Sequence, residues 1–115
     1  MSDPRFRPRD YLVHPKTFGI TDAPKPLEAS SIEERARAGA AVYQSRLARQ
    51  VRVLMAEHDV TQVEFSAAIE MKAARLSRLL NGTAILRVED IYRFQCFFND
   101  RSVGAFAEPE AYDFS

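Results

Sequence analysis

The chain has 115 residues, 46% of them hydrophobic and 28% charged, which suffices for one compact core with a tail and is too little for two ordinary domains. Its 16 basic and 16 acidic residues cancel, so the whole-chain charge offers no attraction to nucleic acid, and any phosphate binding must come from local placement. The single Cys96 excludes an internal disulfide, His14 and His58 stand alone without metal-ligand spacing, and no acid–base pair, activated nucleophile or phosphate loop points to catalysis. No catalytic residue, metal or cofactor is therefore expected.

The first segment, residues 1–30, carries Pro4, Pro8, Pro15, Pro24 and Pro26; each removes a backbone donor and fixes φ, which predicts an extended or disordered arm. Phe6, Tyr11, Leu12, Val13, Phe18 and Ile20 are more apolar material than a linker needs, so packing of part of the arm on the body or on a partner stays open. Arg5, Arg7 and Arg9 fit a disordered tail or an arm that enters a minor groove. An Arg- and Pro-rich start matches no signal peptide, and the apolar runs are too short for a membrane span; the expected location is cytoplasmic.

At Ser31-Ile32-Glu33-Glu34 the composition changes to a capping-box start, opening a helical domain over 31–100. From Ile32 to His58 there is no proline, and Leu47, Val51, Leu54 and Met55 recur at helical spacing. Gly39 weakens the first half by about 1 kcal/mol relative to Ala, leaving one long helix or two abutting ones. Five arginines stand against three acids in 31–58; of these Arg46, Arg49 and Arg52 suit either a solvated face or an assisting phosphate contact.

Thr61-Gln62-Val63-Glu64 is a second capping box and opens a helix to Ile69. A turn at Glu70-Met71 leads to a helix from about Lys72 to Leu80, closed by Asn81-Gly82, a pair suited to a left-handed C-terminus. After Ile85, Val88 to Phe98 reads as a further helix burying Ile91, Phe94 and Phe97 or Phe98, with Cys96 as a small core hydrophobe. Residues 101–115 form an acidic tail with Val103, Phe106, Tyr112 and Phe114.

The segment 61–82 meets the geometric demands of a helix-turn-helix, in which two short helices cross steeply so that one spans the DNA backbone and the next enters the major groove. Apolar residues stand at Phe65, Ile69, Met71, Leu76 and Leu79, and the small Ser66 stands where the helices must approach closely. That spacing alone fits any helical hairpin in a bundle. The Thr-Gln opening, Leu-Ser-Arg in the second helix and the Asn-Gly close narrow it: TQVEFSAAIEMKAARLSRLLNG resembles the helix-turn-helix of the lambda/434 repressor and Cro type, the xenobiotic-response-element family, over about residues 45–100.

The resemblance implies an all-α fold, a compact bundle of four to five helices of the lambda-repressor-like type with an irregular N-terminal arm. It also implies sequence-specific binding of double-stranded DNA for transcriptional control, by default repression. A homodimer is expected, because one recognition helix offers too few base contacts. By position, Lys72, Ala73, Ala74, Arg75 and Arg78 are the base-facing candidates, with Arg78 suited to guanine and the alanines to a thymine methyl, while Lys72 and Arg75 suit phosphate equally. Gln62, Ser77, Asn81, Gly82 and Thr83 face phosphates. Two departures stand out. Glu70 replaces the family's usual turn Gly, so either a residue with positive φ or a different turn is required. The buried Arg–Glu pair common in the family is replaced by Met55 and Leu80, an apolar exchange that can be neutral or stabilising. The alternative is an antitoxin-like module that binds a protein partner through its arm or tail.

Overall fold

The computed structural model describes residues 6–99, so Arg5 and the aromatic tail at 101–115 lie outside the described residues. Among the described residues the chain is all-helical: α1 spans Ile32–Glu57, α2 Gln62–Ala68, α3 Ala73–Asn81 and α4 Val88–Asn99, preceded by two short 3₁₀ turns at Pro8–Tyr11 and Pro15–Thr17. A lone antiparallel bridge, Leu12 to Pro26, is the only β-type pairing among these residues. No helix is long and apolar enough to cross a membrane, and no group of metal-ligating side chains is assembled among them.

Gly39 does not divide the first helix, which runs unbroken for 26 residues. A Cβ added at Gly39 would meet only open space, while Ala38, Ala41, Leu47, Ala48, Val51, Leu54 and Met55 bury one face. Packing of that face outweighs the local cost of one glycine. At its start Ser31 Oγ accepts the Glu34 amide, but the Glu34 carboxylate accepts the hydroxyls of Ser30 and Ser31, so only half of the expected box forms. Thr61 and Glu64 close a full box at the start of α2.

Two helices end on left-handed residues that are not glycine. Asp59 has φ 55° and Glu70 φ 57°. Around Glu70 the Met71 amide returns to Ser66 O at 2.9 Å and the Glu70 amide to Ala67 O at 3.2 Å, the paired bonds of a Schellman motif. The same pair recurs after α1, from Val60 to Met55 O and from Asp59 to Ala56 O. The turn between α2 and α3 is thus the glycine-type turn made by a glutamate, the first of the two options that Glu70 leaves. Arg93 of α4 donates to Ile69 O at 2.7 Å, anchoring a carbonyl that the end of α2 would otherwise leave open.

The core lies where α1, α2, α3 and α4 converge, and Phe65 of α2 sits among Phe94, Phe97 and Phe98 of α4 with ring centroids 4.9–5.7 Å away. Met55 and Leu80 are both buried in it. Gln44, 3% exposed, donates to Leu79 O and Ala84 O and accepts from the Leu86 amide, so one buried amide of α1 fixes the end of α3 and the chain leading to α4. Cys96 is exposed rather than in the core, because α4 turns Ile91, Phe94, Gln95 and Phe98 inward and that residue outward.

The largest difference from the sequence reading is the arm. Residues 6–30 are irregular but neither extended nor free: Pro8, Leu12, Phe18 and Pro24 are buried, and Leu12 and Phe18 belong to the main core. Proline content forbids regular ladders but not docking, and enough apolar surface is present to offset the ordering entropy.

Candidate nucleic-acid interface

A readable helix needs one face held down and the other free. In α3, Leu76, Leu79 and Leu80 are buried, while Lys72, Ala73, Ala74, Ser77 and Arg78 are exposed. Lys72 precedes the helix in an extended conformation without a side-chain cap, so the first amides of α3 have no cap from its side chain. Gln62 is half-buried at the first residue of α2, and Ser66 is buried where the two helices meet, its hydroxyl returned to Val63 O. Gln62, Lys72, Ala73, Ala74, Ser77 and Arg78 are therefore reachable from solvent.

Arg75 is different. Its guanidinium lies 2.7 Å from Asp90 Oδ2, and the two side chains are 24% and 3% exposed. The same carboxylate oxygen accepts the Arg87 amide at 2.8 Å, at the start of α4. A nearly buried carboxylate without its cation is costly, so Arg75 is committed to α4 and orients α3 from its flank. Arg78 is left as the exposed guanidinium of α3.

The loop after α3 is also engaged internally. The amides of Gly82 and Thr83 both return to Arg78 O, and Asn81 Oδ1 accepts the amide and the hydroxyl of Thr83 at 3.1 and 2.7 Å. Gly82 is buried beneath the arm: a Cβ there would lie 2.8 Å from the Phe18 ring and 2.9 Å from Arg9 Cβ, and Gly82 O accepts the Arg9 amide at 3.0 Å. The expected role of Gly82 and Thr83 as amide donors to phosphate does not fit this arrangement, because their N–H groups are taken and the arm stands in front of Gly82.

Several residues that hold the site together have weak or no sequence signals. Gly19, φ 71°, lies so close to α3 that a Cβ would come within 2.5 Å of Leu80 O, and its amide donates to the fully buried Ser45 hydroxyl at 2.9 Å. Arg52 donates to Leu80 O at 3.2 Å and Arg49 to Ile20 O at 3.2 Å. Burial lowers the pKa of Arg52 and leaves its Nε without a hydrogen-bond partner. Arg49 and Arg52 thus join α1 to the arm and to the end of α3 rather than facing a ligand, while Arg46 remains exposed. Asn-Gly after a helix signals a C-terminus, but nothing in it signals that another segment will cover it. His14 and His58 are solvent-facing, as expected.

Comparison with protein-family models found no match to this chain, and searches among curated proteins and solved structures found none either.

Proposed function

We propose that this chain is a sequence-specific DNA-binding transcriptional regulator of the lambda-repressor-like type that inserts α3 into the major groove. The observation that carries this reading is the two-sidedness of α3, pinned by three buried leucines and by Arg75–Asp90 while Ala73, Ala74, Ser77 and Arg78 stay open. Small residues let the helix approach base edges closely, the alanines suit thymine methyls, and Arg78 has the planar fork that matches guanine O6 and N7. Gln62, opening α2, is placed to meet a phosphate at the groove wall. Function as a homodimer follows from the few contacts one helix can make, and repression by occluding a promoter is the simplest mechanism for so small a domain.

Selection of bound duplexes from a random pool tests this reading, using the full chain and Arg78→Ala in parallel. The wild type is expected to enrich one motif, and Arg78→Ala to lose preference at one or two base positions worth about 1–3 kcal/mol. A wild-type chain that enriches no motif removes the regulator reading. One observation favours a second reading, an antitoxin-like module with a protein partner: α4 exposes Val88 and Tyr92, at 68% and 54%, one helical turn apart. That stripe also suits a second copy, and the mass of the free chain in solution separates the two, since a monomer leaves it open for another protein.

A further inference from the structure

Charge bookkeeping on the helix-turn-helix leaves a deficit. Between Thr61 and Gly82 the cations are Lys72, Arg75 and Arg78, and the acids are Glu64 and Glu70. Arg75 is neutralised by Asp90, so two cations face two carboxylates and the unit has no net positive charge to draw a polyanion. Binding of duplex DNA rests largely on cations that displace counterions from phosphates, and the amides expected to help after α3 are already occupied. Charge for such binding therefore comes from cations outside the unit.

The arm carries such cations. An open cleft of about 640 Å³ lies between the two 3₁₀ turns, with Val13, Pro15 and the side-chain stems as a largely apolar wall and Arg7, Arg9, Asp10, His14, Lys16 and Thr17 around it. Its lining holds three cations and one carboxylate. The Arg7–Asp10 pair is loose, 3.6 Å apart with both side chains about half exposed, and an exposed pair of that kind contributes little and exchanges readily for phosphate. Arg9 is firmly seated: its amide binds Gly82 O at 3.0 Å and its guanidinium donates to Pro15 O at 3.2 Å. Through Arg9 and the Phe18 ring over Gly82, the cleft is joined to the C-terminus of α3. From Ala73 to Gly82 the helix advances about 13 Å, so with the first residues of α3 at base edges the cleft stands about that far along the helix, at its opposite end.

We propose that this cleft, with Arg7, Arg9 and Lys16 as its cations, is a binding site for the phosphate backbone of duplex DNA, replacing the covered loop after α3. The inference rests on the reading of α3 as a major-groove helix. It explains how a chain of zero net charge binds a polyanion: the cations are concentrated at one end of the reading helix by docking of the arm.

The test is a salt titration of affinity, by fluorescence anisotropy, with the full chain on its selected duplex and on a random duplex. Arg7→Ala, Lys16→Ala and the double variant are compared with wild type; both positions are exposed, and an unchanged thermal midpoint verifies folding. Each single variant is expected to lower the slope of log K against log salt by about 1, and the double by about 2. The loss of affinity is expected to be the same factor on both duplexes, because phosphates carry no sequence. A double variant with the wild-type slope overturns the cleft while leaving α3 as the reader. Weakening confined to the selected duplex overturns it too, since that would be base reading. If wild type selects no duplex at all, the function proposed for α3 falls first and the cleft with it.

Discussion

The arm at residues 6–30 and the α2–turn–α3 unit at 61–82 both pack on the core, yet they reach their places by different means. In that unit, local bonds do most of the shaping: the Thr61–Glu64 box starts α2, a Schellman pair at Glu70 ends it, and Gly82 ends α3. The arm has local order in its two 3₁₀ turns, where the Thr17 amide returns to His14 O and the Phe18 amide to Pro15 O, but these turns do not set where it lies on the body. It is held by a buried ring, Phe18, and by single bonds to distant partners, Gly19 to Ser45, Arg9 to Gly82 and Ile20 to Arg49. The ends of α2 and α3 are written in neighbouring residues, whereas the seat of the arm on the body depends on partners far along the chain.

Phe18→Ala breaks the comparison most strongly. Removing a fully packed aromatic that lies against Gly82 is expected to destabilise the chain by about 3–5 kcal/mol and to open residues 6–30 to limited proteolysis well before α2 and α3. Urea denaturation measures the first effect and timed digestion the second; a loss below about 1 kcal/mol would mean that the arm is not part of the core. A smaller effect of opposite sign is expected from Glu70→Gly. A glutamate at φ 57° carries left-handed strain of about 1 kcal/mol, so the glycine variant should gain about that amount in the same denaturation assay. An unchanged or lowered midpoint would show that the side chain contributes more than the strain costs.

The smallest effect concerns Glu64, whose carboxylate is held below its ordinary range by the Thr61 amide and then by the Thr61 hydroxyl. A depressed value in the fold means that the stabilisation is present at neutral pH, above the unfolded value, and is lost as the solution is acidified through the folded value. Glu64→Gln keeps the reciprocal bond of the box but cannot titrate. The stability difference between wild type and Glu64→Gln is expected to shrink as pH falls from about 6 to about 3, read by thermal midpoints across that range; a constant difference would remove the box from the acid sensitivity of the chain.

Much of the candidate site was legible because its signals are local. The apolar spacing at Phe65, Ile69, Leu76 and Leu79 and the small Ser66 indicated which face of each helix turns inward, and all five are buried. The departure at Glu70 pointed to a positive φ as one of two options, and that option is the one observed. The sequence singles out Arg78 for a base contact, but it gives no sign that Arg75 is committed elsewhere. The acid that separates them, Asp90, is fifteen residues further on in α4, and nothing near Arg75 in the sequence announces it. Cys96 is the reverse case, an apolar residue type whose helix phase, set by the packing of α4, left it outside.

The starts and ends of α2 and α3 are legible in the chain alone, since caps, turns and hydrophobic period lie within a few residues and act whatever else the chain does. Which charges stay available is settled by long-range packing. Arg75 is committed to Asp90, Arg49 and Arg52 to backbone carbonyls of the arm and α3, and Gly82 is closed over by Phe18, while Arg78 keeps an open face. The reason is physical: whether a cation meets solvent or a partner depends on groups brought close by folding from far along the chain, and that proximity has no local trace.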